Sequence, residues 1–410
     1  MTEAVEIDAF AGGESAPDVF APAVLDDPYP MYARLRQHAP VYRIPGTDFH
    51  LVSTVALVAE AVARTEDFSS NLTGALVHGP DGPSTFDVGG GGRAVHVLAT
   101  ADDPAHAAHR TLVLPTLVAK RIRALEPQVR GLAEQLWDAG RDGRGIDWAA
   151  SIADRLPLTM VARLIGLPDA DVPQLLAWSY DSTEMLGGVI AAADLPRLAR
   201  SAVELTGYLH AAFQRAQRDP GEDLLGDLVR ASAEGAVTED VAVLMLVQLV
   251  GAGGESTAGL IGSAARALAT RPGLQTRLRA DTDLIAPFLD EMLRFESPFR
   301  GHHRHVACDT TLGGVPLTEG DHLMLLWGSA NRDPAVFEDP DELRLHRPNL
   351  KAHLAFGKGT HFCVGAALAR MEARVAVRLL LDRSDHVELV DATWAPSLFV
   401  RRHTELLLSV

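Results

Sequence analysis

Phe356-Gly357-Lys358-Gly359-Thr360-His361-Phe362-Cys363-Val364-Gly365 sets one cysteine in a glycine-punctuated loop, and a helical pattern, Ala366-Ala367-Leu368-Ala369-Arg370-Met371-Glu372, follows at once. Gly357 and Gly359 permit positive φ and let a flat ligand approach the backbone closely. Cys363 then falls at, or just before, a helix N-terminus, where unpaired N–H groups and the positive end of the helix dipole favour a thiolate. A solitary cysteine is more often a small buried hydrophobe. That reading leaves the glycines, Phe356, His361 and the abutting helix without a reason.

The ten-position string resembles the haem-binding loop of the cytochrome P450 family, F-G-x-G-x-H-x-C-x-G. The resemblance implies haem b (iron protoporphyrin IX) with Cys363 as its axial iron ligand; an axial thiolate pushes electron density toward O–O cleavage. It further implies that Phe356 and Gly357 pack by the ligand and that Gly365 lets the next helix approach the porphyrin. The expected fold is mainly α with small β-sheets, one P450 domain over residues 28–410 around a buried haem, preceded by an acidic extension over residues 1–27. Other matches are Asp27-Pro28-Tyr29-Pro30, Asn331-Arg332-Asp333-Pro334 and Leu368-Ala369-Arg370-x-Glu372.

The chain has 410 residues and a formal net charge of −17, which argues against nucleic acid as a partner, since phosphate binding needs a basic face. With only Cys308 and Cys363, and the latter committed to iron, no disulfide framework is available; that fits a reducing cytoplasm. Met1 to Asp27 lacks a basic segment followed by an apolar one, so neither a signal peptide nor a membrane span is expected.

Pro28 to Ala39 reads as an amphipathic helix and Val41 to Ser53 as a strand pair. From Ser69 to Thr100 periodicity is lost, and Gly-Pro pairs with the run Gly89-Gly90-Gly91-Gly92 predict a long structureless loop, which the resemblance puts over the substrate pocket. Helical patterning then dominates to about Arg271, with breaks near Gly143, Pro168 and Pro220. A further helix covers about Asp283 to Phe295, a β-rich stretch covers His303 to Leu326 with a turn at Gly313-Gly314, and a last helix ends near Asp382.

Thr238-Glu239-Asp240 reads as a helix cap with acidic residues in the first turn. The helix it opens is unusually long and apolar nearly all round from Val241 to Val250. Its middle holds Ala252-Gly253-Gly254-Glu255-Ser256-Thr257, where two glycines and a buried carboxylate violate local propensity, a mark of function. The segment resembles the family's oxygen-activation motif, [A/G]-G-x-[D/E]-T. By that resemblance Gly253 leaves room for dioxygen and loosens the helix, Glu255 relays protons, and Ser256 bonds the distal oxygen. Serine stands where the family has threonine, and Thr257 points about 100° further round the helix. Function with some loss of electrons to peroxide is the expectation.

Glu291 and Arg294, three residues apart on one helix face, match the family's E-x-x-R, and the resemblance implies that both pair with Arg347. His106 and Arg110 match H-x-x-x-R, one helical turn apart. With Arg304 and His361 they are the implied contacts of the haem propionates. His302-His303-Arg304-His305 with Cys308 matches no common zinc spacing, and strand alternation puts His302 and Arg304 on one face. Substrate contacts are expected from residues 72–97, 178–190, 297–302 and 397–400, and in particular from Leu249, Ala252, Phe299, His302 and Phe399.

The resemblance thus implies a haem-thiolate monooxygenase of the bacterial, actinobacterial type that inserts oxygen into a small apolar organic molecule. No flavin or iron–sulfur motif is present, so electrons are expected from NAD(P)H through a ferredoxin reductase and a ferredoxin. Arg110, Lys120, Arg121, Arg123, Lys358, Arg370 and Arg374 form a candidate basic docking patch for it. Two rival readings are a peroxygenase using hydrogen peroxide directly, disfavoured by the Glu255-Ser256 pair, and a non-catalytic haem sensor, disfavoured by the lack of a signalling domain.

Overall fold

The helices that frame the site are, in chain order, α1 (Tyr29–His38), α2 (Ala105–Leu117), α3 (Glu126–Gly140), α4 (Arg155–Ile165), α5 (Val172–Glu184), α6 (Leu195–Ala216), α7 (Glu239–Thr270), α8 (Ile285–Phe295) and α9 (Ala366–Arg383). The computed structural model describes residues 17–79, 82–89, 94–143, 145–191 and 193–410.

α7 is the axis of the fold. Thr238 Oγ1 caps it by accepting from Val241 N at 3.3 Å, and Glu239 and Asp240 complement its N-terminal dipole. It stops at Arg271 because Pro272 follows. Its second half, Ala258 to Ala269, is almost wholly buried. By length and composition α7 could cross a membrane; here it is enclosed by α4, α5, α6 and α9, which is why it is apolar on nearly every side. The helix runs unbroken through Gly253 and Gly254, so the expected loosening is absent from its backbone.

The principal sheet has five strands. β1 (Val41–Arg43) pairs antiparallel with β2 (Phe49–Val52), and β3 (Phe68–Ser69) lies at the far edge. Residues 69–100 are not structureless: β4 (Gly74–Gly79) and β5 (Gly82–Asp87) form an antiparallel hairpin. Cross-strand bonding organises this stretch without the alternation that sequence reading requires, and Thr73 Oγ1 ties its base to His305 Nδ1 at 3.1 Å and His322 Nε2 at 3.0 Å. Glycines 90–92 lie outside the described residues. β6 (His302–Val306) and β7 (His322–Leu325) complete the principal sheet in the order β1-β2-β7-β6-β3. β8 (Glu388–Trp394) and β9 (His403–Ser409) form the core of a second sheet near the C-terminus.

Residues 17–27, expected to belong to an extension, pack into the body. Val19, Phe20 and Leu25 are buried, and Arg300 donates to the Leu25 carbonyl.

Candidate active site

The cysteine loop adopts the conformation its glycines permit, with φ of +69° at Gly357 and +71° at Gly359. Cys363 N donates to Phe356 O at 2.9 Å and closes it. α9 begins three residues later at Ala366. The N–H groups of Gly365 and Ala366, with Arg110 and Arg370, pull the Cys363 pKa down; burial outweighs them and holds the thiol above its ordinary value.

The thiol opens onto one cavity of about 1680 Å³, counting its open mouth. Phe356, Gly357 and Gly365 border it on the thiol side; Leu249, Ala252, Gly253, Ser256 and Thr257 of α7 border it opposite.

His106, Arg110, Arg304 and His361 also line this cavity. The His106 and His361 rings stack with centroids 3.9 Å apart. Ser70 Oγ lies 3.0 Å from His361 Nε2, while His361 Nδ1 is buried without a partner among the described residues. Arg110 donates to Phe362 O at 2.9 Å and Arg304 to His303 O at 2.8 Å. Neither forms an ion pair with a described residue, and the nearby Asp102 is engaged by Ser69 Oγ and Ser70 N. Burial lowers Arg304 to about 10, and burial with His106 and Arg304 lowers His361 to about 4. His106 Nδ1 lies 3.2 Å from Asp103 Oδ1, whereas Arg110 and Arg304 have no ion-pair partner among the described residues; two such guanidinium groups suit a ligand that carries carboxylates, as haem does.

A family model described as cytochrome P450 matches residues 210–390. Cytochrome P450 144 of Mycobacterium tuberculosis is 48% identical over 412 residues, covering 100% of this chain and 93% of the relative. The chain belongs to the cytochrome P450 family. Cytochrome P450 monooxygenase PikC of Streptomyces venezuelae is 33% identical over 389 residues, with 92% and 89% covered. The solved structure of cytochrome P450 CREJ with (4-ethylphenyl) dihydrogen phosphate has a TM-score of 0.87 at 28% identity and covers 94% of this chain and 97% of that one. The protein is therefore a P450 monooxygenase of bacterial type, a haem enzyme, with the P450 fold.

Within this P450, Glu255 does not face the cavity. Its carboxylate is buried, accepts from Arg402 Nε at 2.5 Å and from Thr183 Oγ1, and is held above its ordinary pKa by burial, against the pull of Arg402. Arg402 lies over the Tyr180 ring at 3.9 Å, and the Tyr180 hydroxyl donates to Asp154 Oδ1 at 2.5 Å. Ser256 Oγ donates to Ala252 O at 3.1 Å. Gly253 is required sterically: a Cβ there would sit 2.5 Å from Val161 Cγ2.

His302 and Arg304 share the cavity face of β6, while His303 packs on Phe49 and Phe399. Trp327 Nε1 donates to His302 Nδ1 at 2.8 Å, so the neutral ring carries its proton on Nε2; burial and Arg304 push its pKa down to about 3. Phe299 lines the cavity. Phe399 stands behind it, with ring centroids 4.8 Å apart, and makes no wall. Nor do described residues of 72–97, 178–190 or 397–400 line it. Those stretches are displaced by the 98–100 turn and by Val161, Leu164 and Ile165 of α4, which sequence reading passed over because a cavity wall and a core face are both apolar.

The scaffold pair also differs from expectation. Glu291 is shared: Arg294 reaches it at 2.7 and 2.8 Å, Arg347 at 2.9 Å, and the two cations do not pair with each other. Spare donors of Arg294 reach the carbonyls of Asn331, Pro340 and Glu342. Of the candidate docking cations, Arg370 pairs with Asp290 and Arg374 with Glu126. Lys120, Arg121, Arg123 and Lys358 are exposed, as are the apolar Leu114, Val118 and Phe362.

Proposed function

We propose that Cys363 ligates the haem iron, that His106, Arg110, Arg304 and His361 hold the propionates, and that an apolar organic substrate occupies the space between the haem and α7. The observation that carries this reading is the convergence of the Cys363 thiol with His106, Arg110, Arg304 and His361 on one cavity. Bound haem supplies the oxidising chemistry, in which one atom of dioxygen enters the substrate. The chain's own residues do the rest. Leu249, Ala252 and Phe299 exclude water and orient the substrate. Ser256 Oγ, by turning from Ala252 O toward the cavity, presents a proton there. Glu255, once its carboxylate leaves Arg402 and takes up a proton from solvent, passes that proton to Ser256, and Gly253 keeps α4 close enough to fix that wall. Glu291, Arg294 and Arg347 hold the segment that leads to the cysteine loop.

Electrons come from NAD(P)H through a ferredoxin reductase and a ferredoxin, in keeping with the exposed basic residues Lys120, Arg121 and Arg123, and the enzyme works in the cytoplasm. The aryl phosphate held by P450 CREJ is an aromatic body with a polar group, a chemistry compatible with this cavity.

The carbon monoxide adduct of the reduced protein tests the ligand. A thiolate-type Soret band is expected in the native protein and in Cys308→Ala, and its loss in Cys363→His. A histidine-type band in native, folded protein would overturn the assignment.

A further inference from the structure

Gln248 of α7 is a polar side chain that lines the cavity and that neither proton handling nor haem binding uses. Gln248 precedes Ala252 by four residues and Ser256 by eight, so the three share a helix face. The Ala99 backbone N–H lies 2.7 Å from Gln248 Oε1. An N–H can only donate, so the amide oxygen must be the atom that faces it, and the flip of the carboxamide is fixed. Nε2 therefore points away from the 98–100 turn, and no described residue accepts its hydrogens. Leu98 in that turn has a φ of +43°, a conformation costly for leucine, so the surrounding structure pins the turn. Leu98, Leu249 and other apolar residues line the same cavity.

We propose that Gln248 is a substrate-recognition residue whose Nε2 donates to a carbonyl-type acceptor on an otherwise apolar substrate. Eight helical residues separate it from Ser256, so the acceptor oxygen lies about 12 Å along α7 from the oxygen-handling end. A medium-length chain or a fused-ring body spans that gap. The inference rests on the P450 reading, which sets where the oxidised carbon must lie.

The competing role is structural, with Gln248 only bracing the turn. A matched ligand pair separates the two: a long-chain methyl ketone, and the terminal alkene in which a methylene replaces the carbonyl oxygen. Calorimetry on the haem-loaded enzyme should show the ketone binding about three- to tenfold tighter. The infrared carbonyl band of the bound ketone should move to lower frequency. Gln248→Met, which keeps length without a donor, should bring the affinity ratio to about one and abolish the band shift; Gln248→Asn, with its donor drawn back, should do the same if the methionine variant does not fold. A brace alone would weaken both ligands equally and leave their ratio intact. Equal affinities in the native enzyme, or a ratio that survives both substitutions, overturns the proposal. Native protein lacking the thiolate-type carbon monoxide band would instead mark failure of the P450 site assignment, so the two failures are distinguishable.

Discussion

Glu291 has no exposed surface and stands between two guanidinium groups, one from its own helix and one from fifty-six residues further along the chain. The sequence shows the i, i+3 pair, which on a surface contributes a few tenths of a kcal/mol. Burial changes the sign of the argument, because removing the carboxylate strands two cations that have no other acid. Glu291→Gln should destabilise the holoprotein by about 3–5 kcal/mol in denaturant unfolding. Arg344 offers the control: its side chain makes more ion pairs than Glu291 does, to Asp339, Glu342 and Glu338, yet it is exposed. Arg344→Gln should change nothing measurable. Similar losses in the two variants would refute the claim that burial, not the number of pairs, decides the matter.

α4, α5, α7 and the strand β9 meet at a polar cluster, Asp154, Tyr180, Thr183, Glu255 and Arg402, which the catalytic reading needs and the sequence barely shows. α7 itself was legible: Thr238, the apolar run and the misplaced Gly253-Gly254-Glu255 each point to a capped, buried helix with a functional break in propensity. The partner of Glu255 was not, because Arg402 lies 147 residues away and precedes a strand that reads as ordinary. Cys363 and its loop were readable because glycine positions carry backbone geometry directly. The hairpin β4–β5 was not, because its pairing replaces the missing alternation. The cluster has a measurable signature in Asp154, whose pKa burial raises to about 6 despite the Tyr180 hydroxyl and Arg402, with Glu255 and Asp147 adding to the rise. A raised carboxyl pKa favours folding below the unfolded value near 3.8 and loses that contribution as pH climbs through 6, since the unfolded chain sheds the proton first. Asp154→Asn keeps an acceptor for Tyr180 and removes the titration. Its stability relative to the native protein should therefore rise between pH 4 and 7, by at most about 3 kcal/mol. Thermal midpoints measured across that range check it, and parallel pH profiles would contradict it.

Over the whole molecule, the net charge of −17 makes the run of exposed cations Lys120, Arg121 and Arg123 stand out against an acidic background. Two of the seven basic residues picked from sequence are neutralised in place by Asp290 and Glu126, which no reading of linear spacing could foresee. Lys120 and Arg123 remain exposed beside Val118, on the short helix Ala119–Ala124 that packs on α9, the helix that follows the cysteine loop. Exposed cations beside an exposed apolar residue suit transient docking of an acidic electron carrier, and electrostatic steering there acts on encounter more than on affinity. Exposed charges are screened over about 8 Å at physiological ionic strength. Reduction of the ferric enzyme by an acidic ferredoxin, followed by stopped flow, should accordingly slow steeply with added salt. Lys120→Glu with Arg123→Glu should lower the second-order rate about tenfold or more at low salt and flatten the salt dependence, while dithionite, a small reductant, should reduce variant and native protein alike. A rate indifferent to salt would remove this face as the entry point for electrons, and a loss shared with dithionite would show that the substitutions damaged the haem site instead.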